Sequence, residues 1–395
     1  MTYSSLQQHV IGLIACCCLA IMGSGCTKDV NWKTPDLAWE KPSPQGAGIY
    51  PIYCNGAVLL SSYTDGQLCI EKISLKNGRH QWQWCDSEKV IPNLYYNLQP
   101  YLGKKVLIIP AKNHTVAIDV KSGREKWRHQ LFDAAEAHLE ACGNKALRTF
   151  YDQKNKMARV VAFERQSGNY QQLFEYPLSD SAKTFLRTPV PIVSKQDTSY
   201  LSALLVYTFQ KQTTENAILS WRTSKPDTFS KAPIYPDNTN GYGISKQAIV
   251  DEGSTYWIAS NEIIRWEAEK EEVVWRTDLP RDMLTSRPKL IDQSIYYAGE
   301  DGVLYAVNTA DGKLQWSTKI SGTPSRVFYH KDVLAVVGGG DGLLYLINAT
   351  NGQLIDKKTA HGHQLSSGIH FQRPMYLGQD HLLVNDSKRW LCYKL

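Results

Sequence analysis

Apolar positions along the chain fall into short runs that begin and end at turns. Examples are Ala57–Ile73 (AVLLSSYTDGQLCIEKI), Lys105–Val120 (KVLIIPAKNHTVAIDV), Ser202–Phe209 (SALLVYTF), Ser254–Ser260 (STYWIAS), Ser294–Asn308 (SIYYAGEDGVLYAVN) and Asp332–Asn348 (DVLAVVGGGDGLLYLIN). They are rich in β-branched and aromatic residues and are broken by Asp-Gly or similar pairs that accept the positive φ of a hairpin turn. The pattern predicts paired β-strands throughout. Helical periodicity is confined to Phe132–Cys142 (FDAAEAHLEAC), which predicts a short helical turn in a connection.

Two stretches repeat each other: VAIDVKSGREKW (Val116–Trp127) and LYAVNTADGKLQW (Leu304–Trp316). In each, an Asp or Asn precedes a turn Gly, and a Trp follows that Gly by four residues. The Trp recurs at Trp82, Trp127, Trp275 and Trp316, with Gln172, Phe229 and Asp356 filling the same slot in degenerate copies. The spacing of roughly 40 to 57 residues suits a four-stranded blade. Gly78, Gly123, Gly312 and Gly352 supply left-handed turn positions without Cβ strain, and Asp119, Asn308 and Asn348 can bond the turn backbone. The large indole is expected to cover the next blade, where Ala117 or Ala306 leaves room. One blade cannot bury both of its faces, and radial stacking of several does.

The ends of the chain fit a closed ring. HLLVNDSKRWLCYKL, at the C-terminus, supplies strands without the outer GxxxW strand, and PDLAWEKP aligns Trp39 with Trp316. The N-terminal strand is therefore expected to complete the last blade. The expected fold is an all-β, eight-bladed propeller of four-stranded antiparallel blades. Seven blades are the alternative, because Tyr151–Pro236 matches the repeat worst.

These units resemble the repeat of quinoprotein-like (PQQ-like) β-propellers, over nearly all of the chain after residue 35. The resemblance implies fold more than activity, since function on such scaffolds lives in grafted sites. One branch, the quinoprotein dehydrogenases, carries a Ca²⁺-bound quinone in the central channel, typically against adjacent cysteines. The adjacent cysteines here, Cys16–Cys18, lie in the apolar N-terminal run, and no Cys-x-x-Cys-His haem motif is present. The chain is more similar to the other branch, lipid-anchored eight-bladed propellers of outer-membrane protein assembly. That likeness implies a non-enzymatic scaffold without a cofactor, whose partner is an envelope protein such as the barrel-assembly machinery. The alternatives are a surface-exposed glycan- or protein-binding module and a PQQ-dependent dehydrogenase.

VIGLIACCCLAIM (Val10–Met22), followed by Gly23-Ser24-Gly25-Cys26, is similar to a bacterial lipoprotein signal. The similarity implies a signal peptide over 1–25, acyl chains on Cys26, a tether over 26–34 and a single propeller domain over 35–395, at the outer membrane on its periplasmic or surface face. The later cysteines, Cys54, Cys69, Cys85, Cys142 and Cys392, form no dense disulfide framework. Most are expected as buried thiols, with Cys69 and Cys392 as one conceivable pair.

A net charge of only +6, spread along 395 residues with no basic cluster bearing interleaved aromatics, excludes a nucleic-acid footprint. His361 and His363 have the spacing of a strand-borne metal pair but no evident third ligand. Glu267–Glu272 (EAEKEE) reads as a solubilising hairpin tip, and Val336–Gly342 as a strand end without the helix a phosphate-binding turn needs. No catalytic or metal site is assigned. Phe229, Tyr235 and Tyr242, in an insertion rich in Pro, Asn and Gly, are candidate aromatic anchors of an interface.

Overall fold

The structure, a computed structural model, describes residues 36–42, 49–89, 100–111, 114–132, 134–136, 138–193, 197–208, 213–234, 248–251, 254–259, 262–279, 288–322, 324–358, 376–385 and 389–394. Its strands form eight separate antiparallel sheets, each a blade of a propeller ring. Blade 1 is Ile52–Cys54, Ala57–Thr64, Gln67–Ser74 and His80–Lys89. Blade 2 is Tyr101–Leu102, Val106–Pro110, Thr115–Asp119 and Glu125–His129. In blade 3 the inner edge is split between Ala134–Ala135 and Glu140–Cys142, followed by Lys145–Asp152, Met157–Glu164 and Tyr170–Pro177. Blade 4 is split likewise, with Ala182–Leu186 and Val190–Val193 inside Thr198–Thr208, Thr213–Arg222 and Lys225–Pro233.

Blade 5 is Ile249–Asp251, Ser254–Ile258, Glu262–Glu267 and Glu272–Asp278, and blade 6 is Lys289–Ile291, Ser294–Ala298, Val303–Asn308 and Leu314–Lys319. Blade 7 is Phe328–His330, Val333–Val337, Leu344–Asn348 and Leu354–Lys358. Blade 8 takes Tyr376–Gly378, His381–Asn385 and Arg389–Lys394 from the C-terminus and its outer strand, Asp36–Pro42, from the N-terminus. The expected ring closure is thus present, and eight blades replace the seven-bladed alternative.

Burial follows position in the blade. Second strands such as Val106–Pro110 and Val333–Val337 are buried at every residue, because both faces meet neighbouring blades. Outer strands alternate: Glu272–Asp278 buries one face in part and leaves the other to water. The core consequently consists of separate apolar clusters lying in the seams between blades.

The repeat motif builds each seam. Asp119 accepts backbone N–H bonds from Lys121 (3.1 Å) and Ser122 (2.8 Å), and Gly123 takes φ +72° to close the turn. A β-bulge follows, setting Ile118 opposite Glu125 and Ala117 opposite Trp127. Trp127 then leaves its own blade and lies on Gly168 of blade 3. The same dock places Trp39 on Gly78, Trp82 on Gly123, Trp275 on Gly312 and Trp316 on Gly352, with ring atoms 2.5–3.0 Å from where a Cβ would stand.

Each indole Nε1–H also donates to a carbonyl three residues before that glycine. Trp39 reaches Leu75 (2.7 Å), Trp82 Val120 (3.0 Å), Trp127 Arg165 (3.2 Å), Trp275 Thr309 (3.1 Å) and Trp316 Ala349 (3.1 Å). The room for the ring comes from the next blade's glycine. Ala117 and Ala306, expected to supply it, face Trp127 and Trp316 across the strands of their own blades.

Other expectations are corrected. Residues 132–142 carry no helix among the described positions, because Ala134–Ala135 and Glu140–Cys142 pair with Lys145–Asp152 as strand. Cys69 is bonded to Cys85, its cross-strand partner within blade 1, and Cys392 is a buried free thiol.

The dock predicts unequal costs for two left-handed glycines. Gly56→Ala has nothing within 4 Å of the new methyl and should cost about 1 kcal/mol of backbone strain. Gly123→Ala pays that strain and must also displace the Trp82 ring, for a further ~1–3 kcal/mol. Urea unfolding of the two variants measures the difference, and equal losses would remove the dock from the account.

Candidate functional site: the mouth of the central channel

Each inner strand begins at the face where the connection from the previous blade arrives. Side-chain hydroxyls pin several of these approaches to the second strand. Ser61 Oγ accepts from Ile49 N–H (2.7 Å) and donates to Ile49 O (3.1 Å), Ser202 Oγ donates to Arg187 O (2.5 Å), and Ser325 Oγ accepts from Val337 N–H (2.9 Å). The starts of the inner strands are thereby fixed around the channel mouth.

Two cavities open there. One, of about 480 Å³, is bounded by Glu140, Val190, Pro191, Ile249, Val250 and Leu290 of blades 3 to 6. The other, of about 310 Å³, lies between Tyr50, Arg326, Phe328 and Tyr329. Pro288 and Lys289 line both. The Arg326 guanidinium stacks 3.8 Å above the Tyr50 ring, whose centroid is 6.3 Å from that of Phe328. The first wall and the cationic, aromatic wall therefore meet at Pro288 and Lys289.

Behind the mouth, a chain of polar groups crosses the seams of blades 1 to 4. Asp86, fully buried at the end of an outer strand, accepts from Arg128 Nη1 (2.9 Å) and bonds His114 Nε2 (2.9 Å). His114 O accepts from Arg148 (2.5 Å), whose buried guanidinium also donates to Thr115 Oγ1 (2.9 Å), Glu136 O (2.7 Å) and Ala111 O. The Glu136 carboxylate in turn takes the Tyr151 hydroxyl (3.0 Å) and Arg187 (3.2 Å). These carbonyls and carboxylates replace the water that the arginines lose. No spacing rule links these residues in sequence, so sequence reasoning missed them.

Seams around blade 4 depart from the dock. Gln172, assigned to the Trp slot of blade 3, is exposed, because the bulge falls between Val160 and Val161, and Phe174 takes the seam position. Phe174 stacks on Trp221 of blade 4 with centroids 4.3 Å apart. Phe229 leans back toward blade 3 onto Phe174 (5.5 Å) and Tyr176 (6.2 Å), remaining 45% exposed. At the next seam Glu271 holds the glycine position of the motif at φ +54°. Its carboxylate accepts from Ser220 (2.7 Å) and Ser230 (2.6 Å) of blade 4, so this residue of the acidic tip ties two blades together.

The other slot residue, Asp356, pairs with Leu346 inside blade 7. Tyr235, Tyr242, Cys26, His361 and His363 lie outside the described residues. Among the described residues no three His, Cys, Asp or Glu side chains gather where a metal ion could be held. The charged groups at the mouth, among the described residues, are Glu140, Lys289 and Arg326, a set that does not fit a calcium-held quinone.

Burial alone would raise the Asp86 carboxyl, but the hydrogen bond and charge of His114, with the bond from Arg128, outweigh it and hold it below the usual carboxylate value. Because the folded carboxyl titrates below its unfolded value of about 3.9, its stabilisation is complete above that pH and is lost as pH falls through the lower folded value. Asp86→Asn should therefore cost on the order of 1–3 kcal/mol at pH 7, because His114 and one Arg128 N–H lose a charged buried acceptor while Arg128 keeps its bonds to Glu125. In urea unfolding across pH the gap from the parent should close below about pH 4. A gap that persists unchanged to pH 2 would contradict this role.

A sequence profile of one family matches residues 23–204 and 211–392; it is described as outer membrane protein assembly factor BamB. No curated protein matches the chain. Among solved structures, BamB from Moraxella catarrhalis is similar at 12% identity and a TM-score of 0.59, covering 92% of this chain and 100% of that one. The computationally designed Ika8 protein has 11% identity and a TM-score of 0.63, with 92% and 100% covered. Quinohemoprotein alcohol dehydrogenase ADHIIG from Pseudomonas putida HK5 has 9% identity and a TM-score of 0.63, with 91% of this chain and 76% of that one covered. At such identities the structural likenesses show the fold alone, whereas the profile spans almost the entire sequence: the chain belongs to the outer membrane protein assembly factor BamB family.

Proposed function

We propose that the chain is a non-enzymatic scaffold of the bacterial cell envelope, which binds protein partners of outer-membrane protein assembly. The observation that carries this reading is the BamB family match over both halves of the propeller. In this reading residues 1–25 are a signal peptide, Cys26 carries the acyl chains, 26–34 are the tether and 35–395 the single propeller domain, held at the outer membrane. One acyl chain gives only marginal residence at a membrane, and several make it stable. Phe229 suits a contact role, since a half-exposed aromatic on an outer strand offers area at small entropic cost.

In-cell crosslinking of the tagged full-length protein, followed by mass spectrometry of solubilised membranes, tests the proposal. The expected result is recovery of a barrel-assembly protein. Cys26→Ser should shift the protein out of the membrane fraction, and Phe229→Ala, which also loses its ring contacts with Phe174 and Tyr176 and should melt somewhat lower, should reduce the crosslinked yield at temperatures where it remains folded. Crosslinks only to surface polysaccharide machinery, or none, would overturn the assembly role.

A further inference from the structure

We propose that the channel mouth is a binding site for an extended acidic peptide segment. The two cavities adjoin at Pro288 and Lys289, which line both, and their walls differ in chemistry. At one end the wall includes Val190, Pro191, Ile249, Val250 and Leu290 beside Glu140, and more of the surface exposed there is polar than apolar, as suits a backbone that can hydrogen-bond. At the other, the exposed Lys289 lies beside the Arg326–Tyr50 stack, with no carboxylate among the described lining residues. Stacking on Tyr50 fixes the guanidinium plane, and low-dielectric aromatic walls concentrate its field. Lys289 is exposed and has no ion-pair partner among the described residues. The chemistry at this end selects a carboxylate.

The strands that line the cavities point to a polypeptide. Val190–Val193, Ile249–Asp251 and Lys289–Ile291 each pair on one side only, with the second strand of their own blade. Their other edge carries backbone N–H and C=O groups that can pair with an added extended segment. The inference rests on the scaffold reading only in taking the ligand to be protein, and it holds whichever envelope partner is crosslinked.

Fluorescence anisotropy of detergent-solubilised full-length protein with a dye-labelled hexapeptide alternating Val and Asp tests it. Binding should weaken about tenfold when each Asp of the peptide is replaced by Asn, and by a similar factor in Lys289→Glu. Lys289 and Val250 are exposed, so Lys289→Glu and Val250→Asp should both melt like the parent while binding the peptide less well. Added salt should weaken binding to the parent and leave binding to Lys289→Glu almost unchanged. Equal affinity for the Asp and Asn peptides, no binding of either, or indifference to Lys289→Glu would overturn the proposal. Succinate competing at the peptide's own concentration would make the ligand a free carboxylate and overturn the peptide assignment. Failure here would leave the crosslinking result intact, and the reverse also holds.

Discussion

Everything in this ring depends on how one blade covers the next. A four-stranded blade has two apolar faces, and the seam between blades must be filled by side chains that reach across from an outer strand whose far side is wet. An indole lying flat on a glycine does this, with its N–H satisfied by a carbonyl of the same turn, as for Trp82 on Gly123. The bulge before the Trp aims the ring, and the positive φ of the glycine keeps the landing surface bare. Trp39 on Gly78 uses the same contact to join the N-terminal strand of blade 8 to blade 1, so ring closure is a further copy of the repeat.

At the two undocked seams on either side of blade 4, the receiving blade changes with the missing dock. The third-strand residue just before the turn is Ile73, Ile118, Phe163, Val307 or Ile347 at the docked seams. At the two seams flanking blade 4 it is Trp221 and Trp266, each buried among residues of the preceding blade. The bulk is thus supplied from the other side. The exchange conserves volume without conserving the hydrogen bond, for the indole N–H of both Trp221 and Trp266 is buried without an acceptor. The side chain of Asn216 in blade 4 is likewise unpaired. Each such group costs on the order of 1–3 kcal/mol, so blade 4 is held less firmly at its two seams than a docked blade.

Much of the fold was legible because its signal is local and repeated. A Gly and a Trp four residues apart, recurring at blade-length intervals, are enough to predict strands, turns and ring closure. Blades 3 to 5 were read poorly for the same reason: a bulge moved by two residues puts Phe174 where Gln172 was expected, and Glu271 replaces a glycine that no pattern can mark. The channel mouth and the Asp86, Arg128 and Arg148 network were invisible, since they join residues of different blades by folding alone. The Cys69–Cys85 bond belongs to this class too, being set by the register of two strands.

The two halves of the picture meet at blade 4. Its inner strand borders the channel mouth and its outer strand presents Phe229, while its seams lack the contact that fastens most of the ring. A sector that is both accessible and loosely held suits a scaffold that must accommodate partners. Hydrogen–deuterium exchange of the full-length protein, resolved by strand, tests this account most directly. Thr213–Arg222 of blade 4 should exchange well before Thr115–Asp119 of blade 2 and Leu344–Asn348 of blade 7. Exchange of all three in a single step, or blade 4 as the slowest, would show that the tryptophan–glycine dock does not set the stability of the ring.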